Sequence, residues 1–255
     1  MNFYDLRLTP IKALTLASMK ARYRKTFIGF IWVVLNPVIM YSVQAFVFHK
    51  ILKLNVPNYY LFLLGGLLPW IFISSTWEVS TNSLITAGNL LKSFKISPLI
   101  IISSQVIDNF INFIAASFII IIPTALYSNF FSKSLLMLPL SIFILLLFTL
   151  FTSYLFSVLN VFFRDLKFIL AFAMSILYFL TPIFYPPEYI PETYRWVIYI
   201  NPIYYIIEPF RACLYGLDII EILKLQARSI GILAIAALAF NFTWKKLQNE
   251  ILLKV

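Results

Sequence analysis

Charge is what this chain has least of. Only 12% of its 255 residues are Asp, Glu, Lys or Arg, where a soluble domain carries about 25%. The hydrophobic share is 62% and the mean hydropathy +0.91. A water-soluble core of this size has no room for that much apolar surface, so lipid is expected to cover part of it. Cysteine is nearly absent: the single Cys213 excludes an internal disulfide, and no CxxC or Cys/His cluster offers a metal site. The only histidine, His49, has no second ligand near it in sequence and reads as an ordinary surface or interface residue. Acids are half as numerous as bases, which leaves a net charge of +10. Basic residues beside apolar spans answer to membrane topology and anionic headgroups, so no nucleic-acid partner is inferred. HExxH and GxSxG motifs are missing, and no catalytic residue is assigned. Gly88-Asn89-Leu90-Leu91-Lys92-Ser93 has the outline of a phosphate loop but lacks the glycine before the lysine and follows a membrane helix, not a strand. No ATP site is expected in this chain. The first 26 residues are too polar for a cleavable signal.

What is present is a series of six apolar runs of bilayer-spanning length. They cover about 27–48, 60–85, 99–126, 135–162, 168–185 and 219–244. Asn36-Pro37 should kink the first. The cations sort to alternate ends. Arg7, Lys12, Lys20, Arg22, Arg24, Lys25, Lys92, Lys95, Arg164, Lys167, Lys245, Lys246 and Lys254 fall on one side. Lys50, Lys53, Lys133, Arg195, Arg211, Lys224 and Arg228 fall on the other. The richer side holds both ends of the chain and is assigned to the cytosol. An even number of spans agrees with that independently. The expected fold is therefore an all-α integral membrane protein with one transmembrane domain over 1–255: an N-terminal cytosolic segment 1–26, five spans within 27–185, an outer segment 186–217, a sixth span 218–244 and a cytosolic tail 245–255.

Four features within this frame invite function. Glu78 and Asp108 lie inside predicted spans, where a carboxylate costs about 2.5–3.5 kcal/mol at the centre. Without a basic partner in the spans they make a poor proton relay, and they read as structural pairs or channel lining. The segment 86–98 places Leu90, Leu91, Phe94 and Ile96 among Lys92 and Lys95, which suits either a docking element for a soluble partner or a passive interfacial loop. The basic cluster Arg22, Arg24 and Lys25 suits anionic headgroups, an acidic partner, a phosphorylated substrate or simple topology. The segment 181–217 holds six of thirteen prolines and ten aromatics between Phe184 and Tyr215. Proline at that density forbids one long helix. Short helices dipping into the outer interface satisfy both compositions. There Tyr194, Trp196, Tyr199, Tyr204 and Tyr205 are candidates either for stacking on a glycan or for a belt in lipid.

The ordered motifs carry a resemblance. The run from Arg22 to Trp32 ending in Leu35-Asn36-Pro37, then Phe163-Arg164-Asp165-Leu166, Thr181-Pro182-Ile183-Phe184-Tyr185-Pro186, Asn201-Pro202 and Glu208-Pro209-Phe210-Arg211, together resemble the permease subunits of type-two ABC exporters. The similarity is to the branch that exports lipid-linked O-antigen, capsule and teichoic acid. It implies a homodimer with two copies of a separate ATPase that binds the ATP and Mg, and an undecaprenyl-linked polysaccharide substrate in the inner membrane. It also implies a cytosolic coupling helix over 87–97, carrying Leu90, Leu91, Lys92, Phe94 and Lys95, and an N-terminal interface helix over about 9–26. The re-entrant outer gate falls on about 186–215. Under this resemblance Arg22, Arg24 and Lys25 meet the lipid pyrophosphate. A related exporter for drugs or simple lipids shares the same motifs and stands as the alternative.

Overall fold

The computed structural model describes residues 8–23, 31–94, 96–127 and 133–255, and among these every regular element is helical. The expected sites at Arg24, Lys25 and Lys95 lie outside them, as does the N-terminal side of the first apolar run. In chain order the α-helices are α1 (Leu8–Tyr23), α2 (Ile31–Ala45), α3 (Tyr59–Thr81), α4 (Ser83–Thr86), α5 (Gly88–Phe94), α6 (Pro98–Tyr127), α7 (Leu138–Phe162), α8 (Leu166–Leu180), α9 (Trp196–Tyr199), α10 (Pro202–Tyr215) and α11 (Ile219–Lys254). Among the described residues four stretches are long and apolar enough to cross a membrane: Tyr59–Thr81, Pro98–Ile119, Lys133–Phe162 and Ile219–Ile251. Two further apolar helices are shorter, Val38–Ile51 and Leu166–Leu180. The protein is a multi-pass membrane protein.

Helix α3 is the central pillar and is buried on nearly every side, among α6, α7 and α10. Lipid tails are as apolar as leucine, so burying leucines does little to bring such helices together. Close approach and polar contacts do more. Helix α7 supplies both from one face, where Ser141, Leu145, Phe148, Thr149, Thr152, Ser153, Ser157 and Asn160 recur at helical spacing and are all buried. The Trp77 indole N–H donates to Thr152 Oγ1 at 2.9 Å, Ser83 and Ser157 hydroxyls meet at 3.3 Å, and Ser103 meets Tyr154 at 2.5 Å. Each such bond between membrane helices is worth about 0.6 kcal/mol on average. The Thr149 and Thr152 hydroxyls also satisfy themselves on the carbonyls of Leu145 and Phe148 one turn back, at 2.8 and 2.7 Å. Thr15 ties α1 to the bundle, donating to Ile11 O at 2.9 Å and to Ser104 O of α6 at 3.3 Å.

The structure refines two boundaries. The second apolar run is not one helix to residue 85: α3 stops at Thr81 and a separate short α4 follows. The segment 245–255, expected as a tail after the sixth span, is largely helical, because α11 continues through it to Lys254. Trp244, Leu247 and Ile251, spaced three and four apart, put an apolar stripe on the inner side of those last turns; Trp244 and Ile251 are fully buried. Charge counting sees the lysines of this stretch and misses the stripe beneath them.

Candidate functional site

Residues of α3 and α8 line a groove of about 850 Å³. Trp70, Trp77, Tyr178, Phe168 and Phe179 give it aromatic walls, and Ser74, Glu78, Thr81, Asn82, Lys167 and Ser175 give it polar edges. The aromatics are positioned rather than loose. Trp70 and Tyr178 rings lie 5.5 Å apart, Tyr178 stands edge-on to Phe184 at 4.9 Å, and Gln44 of α2 donates its amide N–H to the Tyr178 hydroxyl. The Lys167 ammonium sits 4.8 Å over the Phe168 ring, while its backbone N–H donates to Asn160 Oδ1 at 3.2 Å. Such a lining offers flat apolar faces for stacking and scattered hydroxyls and amides for weak hydrogen bonds. Glu78 is exposed and lines this groove, whereas Asp108 is fully buried within the bundle. One predicted carboxylate therefore faces the groove and the other belongs to the packing. Away from the groove α8 exposes Ile169, Phe172, Ile176 and Leu180, and it buries no residue fully.

Beyond the groove, the proline-rich segment forms short pieces: 3₁₀ turns at Pro187–Tyr189 and Glu192–Tyr194, then α9, then α10. Asn201 starts α10. Its Oδ1 accepts from the Ile203 and Tyr204 amides at 3.0 and 3.4 Å, and its Nδ2 donates to Thr181 Oγ1 at 2.8 Å. Gly216, at φ 79°, ends it in the left-handed conformation that glycine adopts freely. Tyr194, Trp196 and Tyr199 are exposed, while Tyr204 and Tyr205 are half-buried with rings 5.3 Å apart. The first three are thus open to lipid, water or a ligand. The last two are partly committed to the bundle, where the Tyr205 carbonyl accepts from Ser229 of α11 at 2.6 Å.

Sequence reasoning missed the group that holds α10 in place. Charge sorting assigns Arg211 to the outer side and says nothing of its burial; it is 2% exposed. Its Nη2 donates to Pro182 O at 2.7 Å, its Nη1 lies 3.2 Å from Glu208 Oε2, and its guanidinium carbon is 4.3 Å from the Phe62 ring centre. Burial pushes the Glu208 carboxyl above its ordinary pKa, and the neighbouring guanidinium draws it back down. The room comes from α3: a Cβ at Gly65 would stand 2.8 Å from Arg211 Cα, and one at Gly66 would stand 2.6 Å from Nη2. The Gly65-Gly66 pair and the Glu208…Arg211 spacing were the available signals.

At the other end, α5 splits its expected anchors. Leu91 is 1% exposed and Leu90 packs partly against the core, so Leu91 is a core residue and not available for docking. Lys92 is exposed, and Phe94 is 71% exposed. Arg22 lies in the last turn of α1. No His, Cys, Asp and Glu grouping suited to a metal occurs among the described residues.

Comparison with known proteins places this geometry. The chain is 30% identical over 191 residues to the O-antigen export system permease protein RfbA of Klebsiella pneumoniae, covering 74% of each chain. It is 29% identical over 199 residues to the protein of the same name from Myxococcus xanthus, covering 77% of this chain and 76% of that one. The polysialic acid transport protein KpsM of Escherichia coli matches at 22% over 211 residues, 80% and 81% of the two chains. The family model described as ABC-2 type transporter matches residues 9–215, and the chain belongs to that family of membrane proteins.

Proposed function

We propose that this chain is the permease subunit of an ATP-driven exporter of lipid-linked polysaccharide, with O-antigen-like polymer as the substrate class. It crosses the inner membrane six times with both ends in the cytosol, works as a homodimer and takes its energy from two copies of a separate ATPase. The observation that carries this reading is the groove between α3 and α8, with its aromatic walls and hydroxyl edges. Aromatic faces and sparse polar groups suit a sugar chain that must be held weakly and released repeatedly. A second copy meeting the apolar outer faces of α2 and α8 turns two half-grooves into one pathway. There Ile39, Met40 and Val43 of α2 and Phe46 just after it are exposed, as are Ile169 and Phe172 of α8. The names of the relatives support a polysaccharide cargo. Arg22, Arg24 and Lys25 then attract the lipid pyrophosphate, Phe94 and Lys92 meet the ATPase, and 186–215 forms the outer gate.

Deletion of the gene in the producing strain tests this. Surface polysaccharide should vanish while lipid-linked polymer accumulates inside, and expression in trans should restore export. Normal surface polysaccharide with loss of resistance to a drug or a simple lipid would refute the cargo. Robust ATP hydrolysis by the purified chain alone would refute the division of labour.

A further inference from the structure

The end of α11 lies against α5. A Cβ at Gly88 would come 2.7 Å from Val255 Cγ1 and 3.1 Å from Val255 O, so α5 begins on a glycine where the chain after α11 fills the space. Lys254 Nζ sits 5.0 Å from the ring centre of Phe162, the last residue of α7. Three elements distant in sequence therefore converge: α5, the α7–α8 turn and the last turn of α11. Each presents a large apolar side chain outward. Phe94 is 71% exposed, Phe163 67% and Leu253 83%. Lys92, Arg164 and Lys254 are exposed beside them. Leu253 lies eight residues beyond Lys245, about 12 Å further along the helix. With Lys245 and Lys246 at the membrane boundary, that distance takes Leu253 past the hydrocarbon, where an exposed leucine beside two more phenylalanines marks a surface made to be covered.

We propose that the last turn of α11 is part of the docking surface for the ATPase subunit, with Leu253 a third apolar anchor beside Phe94 and Phe163. The occupant it fits is a soluble protein with an apolar socket and a mainly acidic rim, which Lys92, Arg164 and Lys254 complement, with Asp165 and Glu250 the exposed acids among them. The proposal rests on the functional reading above and extends its docking surface from α5 to a composite of three elements. Docking on α5 alone leaves Leu253 in water.

Cys213 is buried and is the chain's one cysteine, so Leu253→Cys provides a single accessible thiol. Inside-out vesicles carrying this variant, with and without its ATPase subunit, are treated with a membrane-impermeant maleimide. Labelling should fall about tenfold or more when the ATPase is bound, as it should at Phe94→Cys. Protection at Phe94→Cys without protection at Leu253→Cys overturns this inference and leaves the functional reading standing. Slow labelling at Leu253→Cys that ignores the ATPase means lipid covers the patch, and overturns it equally. Failure of any ATPase to co-purify with the unaltered chain sinks the functional reading instead. As a second measurement, Leu253→Glu should insert normally in the membrane yet retain about tenfold less ATPase on affinity purification. Full retention contradicts the proposal.

Discussion

Replacing Arg211 by methionine keeps the unbranched apolar stem of the side chain and removes the guanidinium with its charge. Three contacts go at once: the hydrogen bond to Pro182 O, the ion pair with Glu208 and the cation over Phe62. Breaking a buried pair by removing one partner costs about 3–5 kcal/mol, because the remaining charge stays buried. Glu208 moderates the cost in two ways. It keeps 13% exposure, toward a cavity of about 280 Å³ lined by Glu188, Tyr189 and Tyr215. Burial already raises its pKa, so without Arg211 it takes up a proton more readily. A loss of about 2 kcal/mol is the working figure, or about 30-fold in the equilibrium for lifting α10 from the bundle.

Cys213 reports that opening directly. It sits two residues after Arg211, fully buried, its sulfur 3.5 Å from the Ser141 hydroxyl of α7. A thiol in that position reacts only when α10 separates from its neighbours. With a fluorogenic maleimide in detergent or nanodiscs, Arg211→Met should label about 30-fold faster than the unaltered chain. Adding Glu208→Gln removes the stranded charge and should recover most of the difference. Equal rates for Arg211→Met and the unaltered chain would refute the clamp. A double variant no slower than the single one would show that the clamp works by packing, not charge.

Three further outcomes follow from the same contacts. Gly66→Ala puts its methyl on the guanidinium and Gly65→Ala puts its methyl on the α10 backbone. The first should therefore lose most of its effect on Cys213 labelling in the Arg211→Met background, while the second should keep its cost of about 1–3 kcal/mol there. Phe168→Ala and Phe179→Ala, exposed at the groove, should lower polysaccharide export severalfold without changing thermal stability or ATPase recovery; unchanged export would remove them from the pathway. Trp77→Phe deletes the bond to Thr152, whose hydroxyl stays satisfied on Phe148 O, so thermal unfolding should show a loss of only about 0.5–1.5 kcal/mol.

The apolar runs made the long helices legible, since that signal depends on length and composition along one stretch of chain. The prolines between Pro182 and Pro209 foretold short pieces, because proline acts locally on its own backbone. What stayed hidden depends on segments far apart. Whether Leu91 is a docking anchor or a core residue is decided by what packs beneath α5. Whether Arg211 lies at the surface or is a buried clamp is decided by two glycines some 145 residues earlier.

There is a physical reason why hydrophobicity gave so little help with these assignments. In water an apolar side chain marks the inside of a protein, but in a bilayer it is equally at ease against lipid and against a neighbouring helix. Helix α8 is almost wholly apolar and buries no residue fully; α3, with its serines, threonines and glycines, is buried on nearly every side. The discriminating signal is therefore smallness and polarity. Glycine admits a neighbour's backbone, and a hydroxyl needs a partner that lipid does not supply. Had the runs been ranked by their content of Gly, Ser and Thr instead of by hydropathy, α3 and the inner face of α7 would have stood out as the core. Helices α2 and α8, each with a single serine and neither glycine nor threonine, would have ranked lowest, as the surfaces left open for lipid or for a second copy of the chain.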